Sequence, residues 1–214
     1  MNYNQFKNKF KDLPLIMSRV CVVEAGKNAQ AIRNQLSRWQ KNGLLIKLRR
    51  GAYLLNKNDR KITPSRYFIA NQLYAPSYIS LESALSFYGL IPERVSDTTS
   101  VCSKKTARFK NELGVFIYQQ IKNEAFKGFK AVKGQDGASF FIAEPEKAVV
   151  DFLYLNRNKL SKSAKDVFER SYRFQNLETL RQKKIIESAK VFHNSKLSML
   201  ARGFCEFIKE QAKR

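Results

Sequence analysis

Apolar residues recur at three- and four-residue spacing from Asn28 onward. Ala29, Ile32, Leu36 and Trp39 share one face, which predicts an amphipathic helix over 28–42 that stops at Asn42-Gly43. The period then changes. Residues 44–55, LLIKLRRGAYLL, alternate around Arg50-Gly51 and predict a hairpin over 45–55. Upstream, Phe6 and Phe10 lie one helical turn apart among polar residues, predicting a helix near 3–12. A second helix is expected near 15–25, with Ala25-Gly26-Lys27 as the turn into the third. Three helices followed by a hairpin are the sequence form of a winged helix-turn-helix.

Beyond residue 55 the pattern is longer and more varied. Asn56 to Lys61 is polar and reads as a linker, and Thr63-Pro64 reads as a cap and first-turn proline. The helix expected from about 64 to 74 places Tyr67, Ala70 and Tyr74 on one face, with Ile69 and Leu73 towards the other. Ser80 is the expected cap of a helix through Leu81, Ala84, Leu85 and Tyr88, ending at Gly89. Strands are expected at 100–102, 114–120 and 138–143, with a turn at Gly134, Asp136 and Gly137. Glu144-Pro145-Glu146-Lys147 opens a further helix, and the chain reads as wholly helical from about 160. The expected fold class is α/β (α+β): a winged helix-turn-helix domain over 1–60, then a mixed α/β domain over 61–214 with a helical C-terminal region.

Charge sharpens the picture. The 214 residues carry 40 Lys+Arg against 18 Asp+Glu, a formal net charge of +22. Residues 1–62 hold 14 basic and 3 acidic side chains, 63–150 hold 11 and 8, and 151–214 hold 15 and 7. Half of the excess therefore lies in the first segment, which contains the expected reader helix, and such an excess suits a polyanionic partner.

At 100° per residue, Lys27, Gln30, Asn34, Arg38 and Lys41 fall opposite the apolar face of that helix, with Ser37 beside them. No acid interrupts this face. Asn and Gln pair with adenine edges and Arg with guanine in a major groove. Gln30, Asn34 and Arg38 are the expected base readers, flanked by Ser37 and Lys41. Arg33, nearer the apolar edge, is placed for a phosphate, and Lys47, Arg49 and Arg50 for the wing's backbone contacts. Trp39 belongs to the core.

Other chemistry is poorly supported. Cys21, Cys102 and Cys205 are dispersed and form no Cys-x-x-Cys, so neither a disulfide framework nor a zinc site is expected. Glu144, Glu146 and Asp151 are the tightest acidic group, but Glu146 and Lys147 are adjacent, without the single-residue spacing of a metal-dependent nuclease. Helix capping accounts for the two glutamates. His193 has no metal-ligating or triad partner nearby, and no glycine motif cradles a nucleotide. The basic run Lys104 to Lys110 reads either as a solvated loop or as a secondary contact to phosphates or an acidic protein. No catalytic, cofactor or metal site is expected. Nothing resembles a signal peptide, and Leu13 to Ala25 is too short and too often interrupted to span a bilayer, so the expected location is cytoplasmic, without a membrane. An RNA-associated basic protein is the alternative within the binding class, and a nuclease the alternative among enzymes.

Three segments share a further feature. The wing Leu48-Arg49-Arg50-Gly51-Ala52-Tyr53-Leu54-Leu55, the stretch from Tyr78 to Glu93, and Ile142-Ala143-Glu144-Pro145-Glu146-Lys147-Ala148 resemble, in order and spacing, the AbiEi-type antitoxins of type IV bacterial toxin–antitoxin pairs. The resemblance covers about residues 15–155. It implies a winged helix that binds double-stranded operator DNA and represses its own operon. It also implies a second domain that counteracts a nucleotidyltransferase-like toxin without requiring a stable complex. The oligomeric state is left open.

Overall fold

The chain is a mixed α/β protein, and its computed structural model describes residues 1–26, 28–135, 137–160 and 164–213. The N-terminal part runs α1 (Tyr3–Phe10), β1 (Ile16–Met17), α2 (Ser18–Ala25), α3 (Ala29–Lys41), β2 (Leu45–Arg49) and β3 (Ala52–Leu55). Asn2 starts α1 with a capping box: its side chain accepts from the Gln5 amide while the Gln5 side chain accepts from the Asn2 amide. Gly26, at φ 57°, ends α2 in the left-handed conformation that glycine adopts without strain. Lys27, expected at the turn, lies outside the described residues.

The second helix is shorter than its apolar pattern suggested. Residues 16–17 form β1, which pairs antiparallel with β3 so that Ile16 faces Tyr53. The sheet order is β1-β3-β2, and a register irregularity between Lys47 and Arg49 turns Leu48 out of strict alternation. This sheet is covered on both faces. Leu45, Tyr53 and Leu55 join Phe6, Phe10, Ile32, Leu36 and Trp39 in one core. Leu48, Ala52 and Leu54 belong to the larger core of the rest of the chain. β3 is therefore shared by both cores, which explains why all four of its residues are buried.

The connection after β3 is tied down, in contrast to the solvated linker expected there. Asp59 accepts from Tyr3 Oη at 2.7 Å and pairs with Lys7 at 3.2 Å, while the Lys61 amide donates to the Lys11 carbonyl at 3.0 Å. Burial and the bond to Asp59 raise the Tyr3 phenol, and that same bond leads the effects lowering Asp59. α4 (Arg66–Leu73) follows, capped by Ser65 rather than Thr63: the Ser65 side chain accepts from the Phe68 amide. Its buried Ile69, Ala70 and Leu73 fit the expectation of burial on more than one side.

The remaining strands are β4 (Ser77–Ile79), β5 (Thr98–Cys102), β6 (Ala107–Asn111), β7 (Gly114–Gln120), β8 (Phe129–Lys133) and β9 (Ser139–Ala143), with α5 (Leu81–Phe87) between β4 and β5. They form one mixed sheet of order β6-β7-β5-β4-β9-β8. β5/β7 and β4/β9 are parallel and the other neighbours antiparallel. α4 packs on β4, β5 and β9, and α5 on β5. α6 (Pro145–Leu160) packs on α5 and carries α8 (Gln182–Lys190) and α9 (Ser195–Gln211).

The C-terminal region is less continuous than expected. α7 (Ala164–Asp166) runs into a π turn at Val167–Ser171, and only a 3-10 turn at Leu177–Thr179 precedes α8. Arg173 and Asn176 have positive φ, and the break lets Phe174 pack edge-on against Phe168 and Phe204, with ring centroids at 5.9 and 5.1 Å. Phe174 is buried by this arrangement.

Candidate nucleic-acid interface

α3 is built as its spacing predicts. The Asn28 side chain accepts from the Gln30 amide at 2.7 Å and starts the helix. Ile32, Leu36 and Trp39 anchor its inner face, and the indole packs against Phe6 at 4.7 Å and Tyr3 at 5.5 Å. Trp39 is thus a core residue. Gln30, Arg33, Asn34, Ser37, Arg38 and Lys41 are all exposed on the outer side.

Two expected base readers contact each other. The Gln30 amide donates to Asn34 Oδ1 at 2.9 Å across one helical turn. In this arrangement the Gln30 carbonyl oxygen and the Asn34 amide nitrogen face outward. One acceptor and one donor side by side match the edge of a base.

The electrostatics of this region depend on where its acids go. Residues 1–62 contain only Asp12, Glu24 and Asp59 as acids. Asp12 pairs with Lys61 at 2.9 Å, Glu24 with Lys9, and Asp59 with Lys7. Each is taken by a lysine of α1 or of the connection after β3. Among the described residues, no carboxylate pairs with Arg33, Arg38, Lys41, Lys47, Arg49 or Arg50. Their charge is left uncompensated on one helix and one hairpin.

The three cations expected of the wing do not act as one set. Lys47 is exposed opposite Tyr53 in the pairing. Arg49 is half-buried: its Nη1 donates to the Arg50 carbonyl at 3.0 Å, and its Nε is buried without an acceptor. Arg49 and Arg50 turn towards the second sheet and line a groove with Tyr74, Lys104 and Phe109. Lys27 lies outside the described residues.

The basic run 104–110 is more than a solvated loop. Its second half is β6, an edge strand beside β2, with Arg108 and Lys110 exposed and Phe109 turned inward. Asn111 closes the contact by donating from Nδ2 to the Leu48 carbonyl at 3.1 Å. The alternation Ala107, Phe109, Asn111 against Arg108, Lys110 was the signal for this strand.

The acidic group near α6 serves structure. Ser80 does not cap α5 with its side chain. Its hydroxyl donates to Asp151 Oδ2 at 2.8 Å, Tyr78 Oη donates to the same oxygen at 2.9 Å, and Lys147 pairs with Oδ1. Asp151 and Lys147 are both buried, so the carboxylate needs these partners to remain in the core. Burial and Asp151 raise the Tyr78 phenol well above its ordinary range. Glu146 is 2% exposed, and its Oε1 accepts from the backbone and side-chain nitrogens of Arg181, each at 3.2 Å. Burial pushes its carboxyl up, but its own backbone amide and Arg181 outweigh that and hold it below the usual value. Glu144 pairs with Lys184 at 2.7 Å. Among the described residues, no group of three His, Cys, Asp or Glu side chains is placed to hold a metal.

His193 is exposed at a positive φ of 46° after α8, and the three cysteines are free and buried. Among the described residues, no helix is long and apolar enough to cross a membrane. Compared with known proteins, the chain matches no protein-family model and no curated protein.

Proposed function

We propose that the protein is a DNA-binding transcriptional autorepressor whose N-terminal winged helix-turn-helix reads operator DNA through α3. The reading is carried by the acid-free outer face of α3, where Arg33, Arg38 and Lys41 keep their charge while every acid of residues 1–62 is paired elsewhere. Gln30, Asn34 and Arg38 read base edges, Ser37 and Lys41 flank them, and Arg33, with Lys47, contacts phosphates. Arg49 and Arg50 approach the backbone from the wing's base, where it meets the second sheet.

The resemblance to AbiEi-type antitoxins extends the proposal: the protein acts in the cytoplasm of a bacterium and counteracts a nucleotidyltransferase-like toxin without a lasting complex. This half rests on the segments 48–55, 78–93 and 142–148 alone.

A gel-shift titration against the protein's own upstream promoter and a scrambled duplex, at two salt concentrations, tests the first half. Preference for the promoter that survives the higher salt and is lost in Arg38→Ala supports sequence-specific repression. Equal binding to both duplexes and to structured RNA overturns it. Co-expression with the toxin encoded beside it tests the second half: growth must recover with the full chain.

A further inference from the structure

The groove between the two sheets has a composition that neither core packing nor base reading requires. It measures about 360 Å³, and its walls come from the β2–β3 turn, the end of α4 and the 103–109 segment. Arg49, Arg50 and Lys104 converge on it, and none of the residues lining it is an acid. Three cations sharing one concavity repel one another unless an anion joins them.

Two of the cations, Lys104 and Arg49, are held in place. Lys104 Nζ donates to the Ala75 carbonyl at 2.7 Å and lies 5.9 Å from the centre of the Tyr74 ring. Tyr74 Oη donates to the Lys105 carbonyl at 2.9 Å, and the ring packs against Phe109 at 5.9 Å. Arg49 is anchored through Nη1, which donates to the Arg50 carbonyl at 3.0 Å.

We propose that this groove binds the phosphate of a nucleotide. Two guanidinium groups supply forked donors that match phosphate oxygens, and Lys104 adds a compact third charge. Tyr74 and Phe109, both part-exposed, offer ring surface on which the attached base stacks. A free mononucleotide and a nucleotide of a nucleic-acid strand present the same chemistry. An occupied groove also clamps the hairpin to the second sheet. The site does not depend on whether α3 reads DNA.

Isothermal titration of the full chain with AMP and with pyrophosphate at low salt tests the proposal. Saturable binding of both is expected, weakened at least tenfold by Arg50→Gln and by Lys104→Gln and unchanged by Lys190→Gln, an exposed lysine of α8. Retention of binding in Lys104→Arg, with melting temperatures of all variants within a few degrees, separates lost charge from lost fold. Absence of binding, or equal loss in Lys190→Gln, overturns the proposal. Adding a scrambled duplex identifies the source: displacement of AMP assigns the groove to a strand's nucleotide, and independent binding assigns it to a free one.

Discussion

The side-chain amide of Asn111 on β6 donates to the backbone carbonyl of Leu48 on β2 at 3.1 Å, joining the edges of two separate sheets. Beside it, Leu48, Ala52 and Leu54 enter the larger core while Tyr53 and Leu55 enter the smaller one. The hairpin is thus a wall between two hydrophobic interiors. Both faces of the hairpin are covered, so what it can present to a partner is limited to its turn and outer edge.

Sharing β3 predicts coupled unfolding. Trp39, the only tryptophan, reports on the smaller core, and its fluorescence and far-UV circular dichroism should give coincident urea transitions. Leu54→Ala should lower stability by about 2–5 kcal/mol and shift both signals together. Asn111→Ala should cost about 1 kcal/mol. Separate transitions in the parent protein would show that the two cores unfold independently.

The buried Lys147–Asp151 pair predicts a larger loss. Asp151→Ala strands the Lys147 ammonium and removes the acceptor of Tyr78 and Ser80. Such a break costs about 3–5 kcal/mol. Asp151→Asn keeps an oxygen for the two hydroxyls and should lose less. Chemical denaturation of the two variants checks the order.

Glu146 predicts acid sensitivity. Its carboxyl is held lower in the folded protein than its ordinary value of 4.5, so the folded state binds fewer protons than the unfolded state. The stabilisation is fully present above about pH 4.5 and is lost as pH falls through the folded value. Melting temperature measured from pH 6 to pH 3 should fall less steeply in Glu146→Gln than in the parent. Parallel curves would remove Glu146 from the acid response.

The Gln30–Asn34 bond predicts a functional effect without a structural one. Gln30→Ala frees the Asn34 amide to rotate and removes one acceptor. Operator affinity should fall by about 1–3 kcal/mol while scrambled-duplex affinity and melting temperature hold. Competition gel shifts with both duplexes measure it. Equal loss on both would mean that the pair touches no base.

Much of the candidate interface was legible from one dimension. The outer face of α3, the Asn28 cap, the core position of Trp39 and the 45–55 hairpin follow from spacing within a few turns of chain, where local periodicity governs which side is buried. α6 was legible for the same reason, with Pro145 at its first position. The short strands were not. β1 has two residues and β4 three, too few for alternation to register, and each is defined by partners distant in sequence. Ser80 was legible as a helix start, but its hydroxyl was claimed by a carboxylate about seventy residues away.

What the sequence determined by itself is a strongly basic α/β chain with an acid-free amphipathic helix and a cationic hairpin. Tertiary structure alone decided which cations stay free and which meet. The lysines of α1 and of the connection after β3 absorb all three nearby acids, and the approach of β6 to β2 brings Lys104 beside Arg49 and Arg50. Charge balance and groove formation depend on distances through space, and chain spacing carries no record of them.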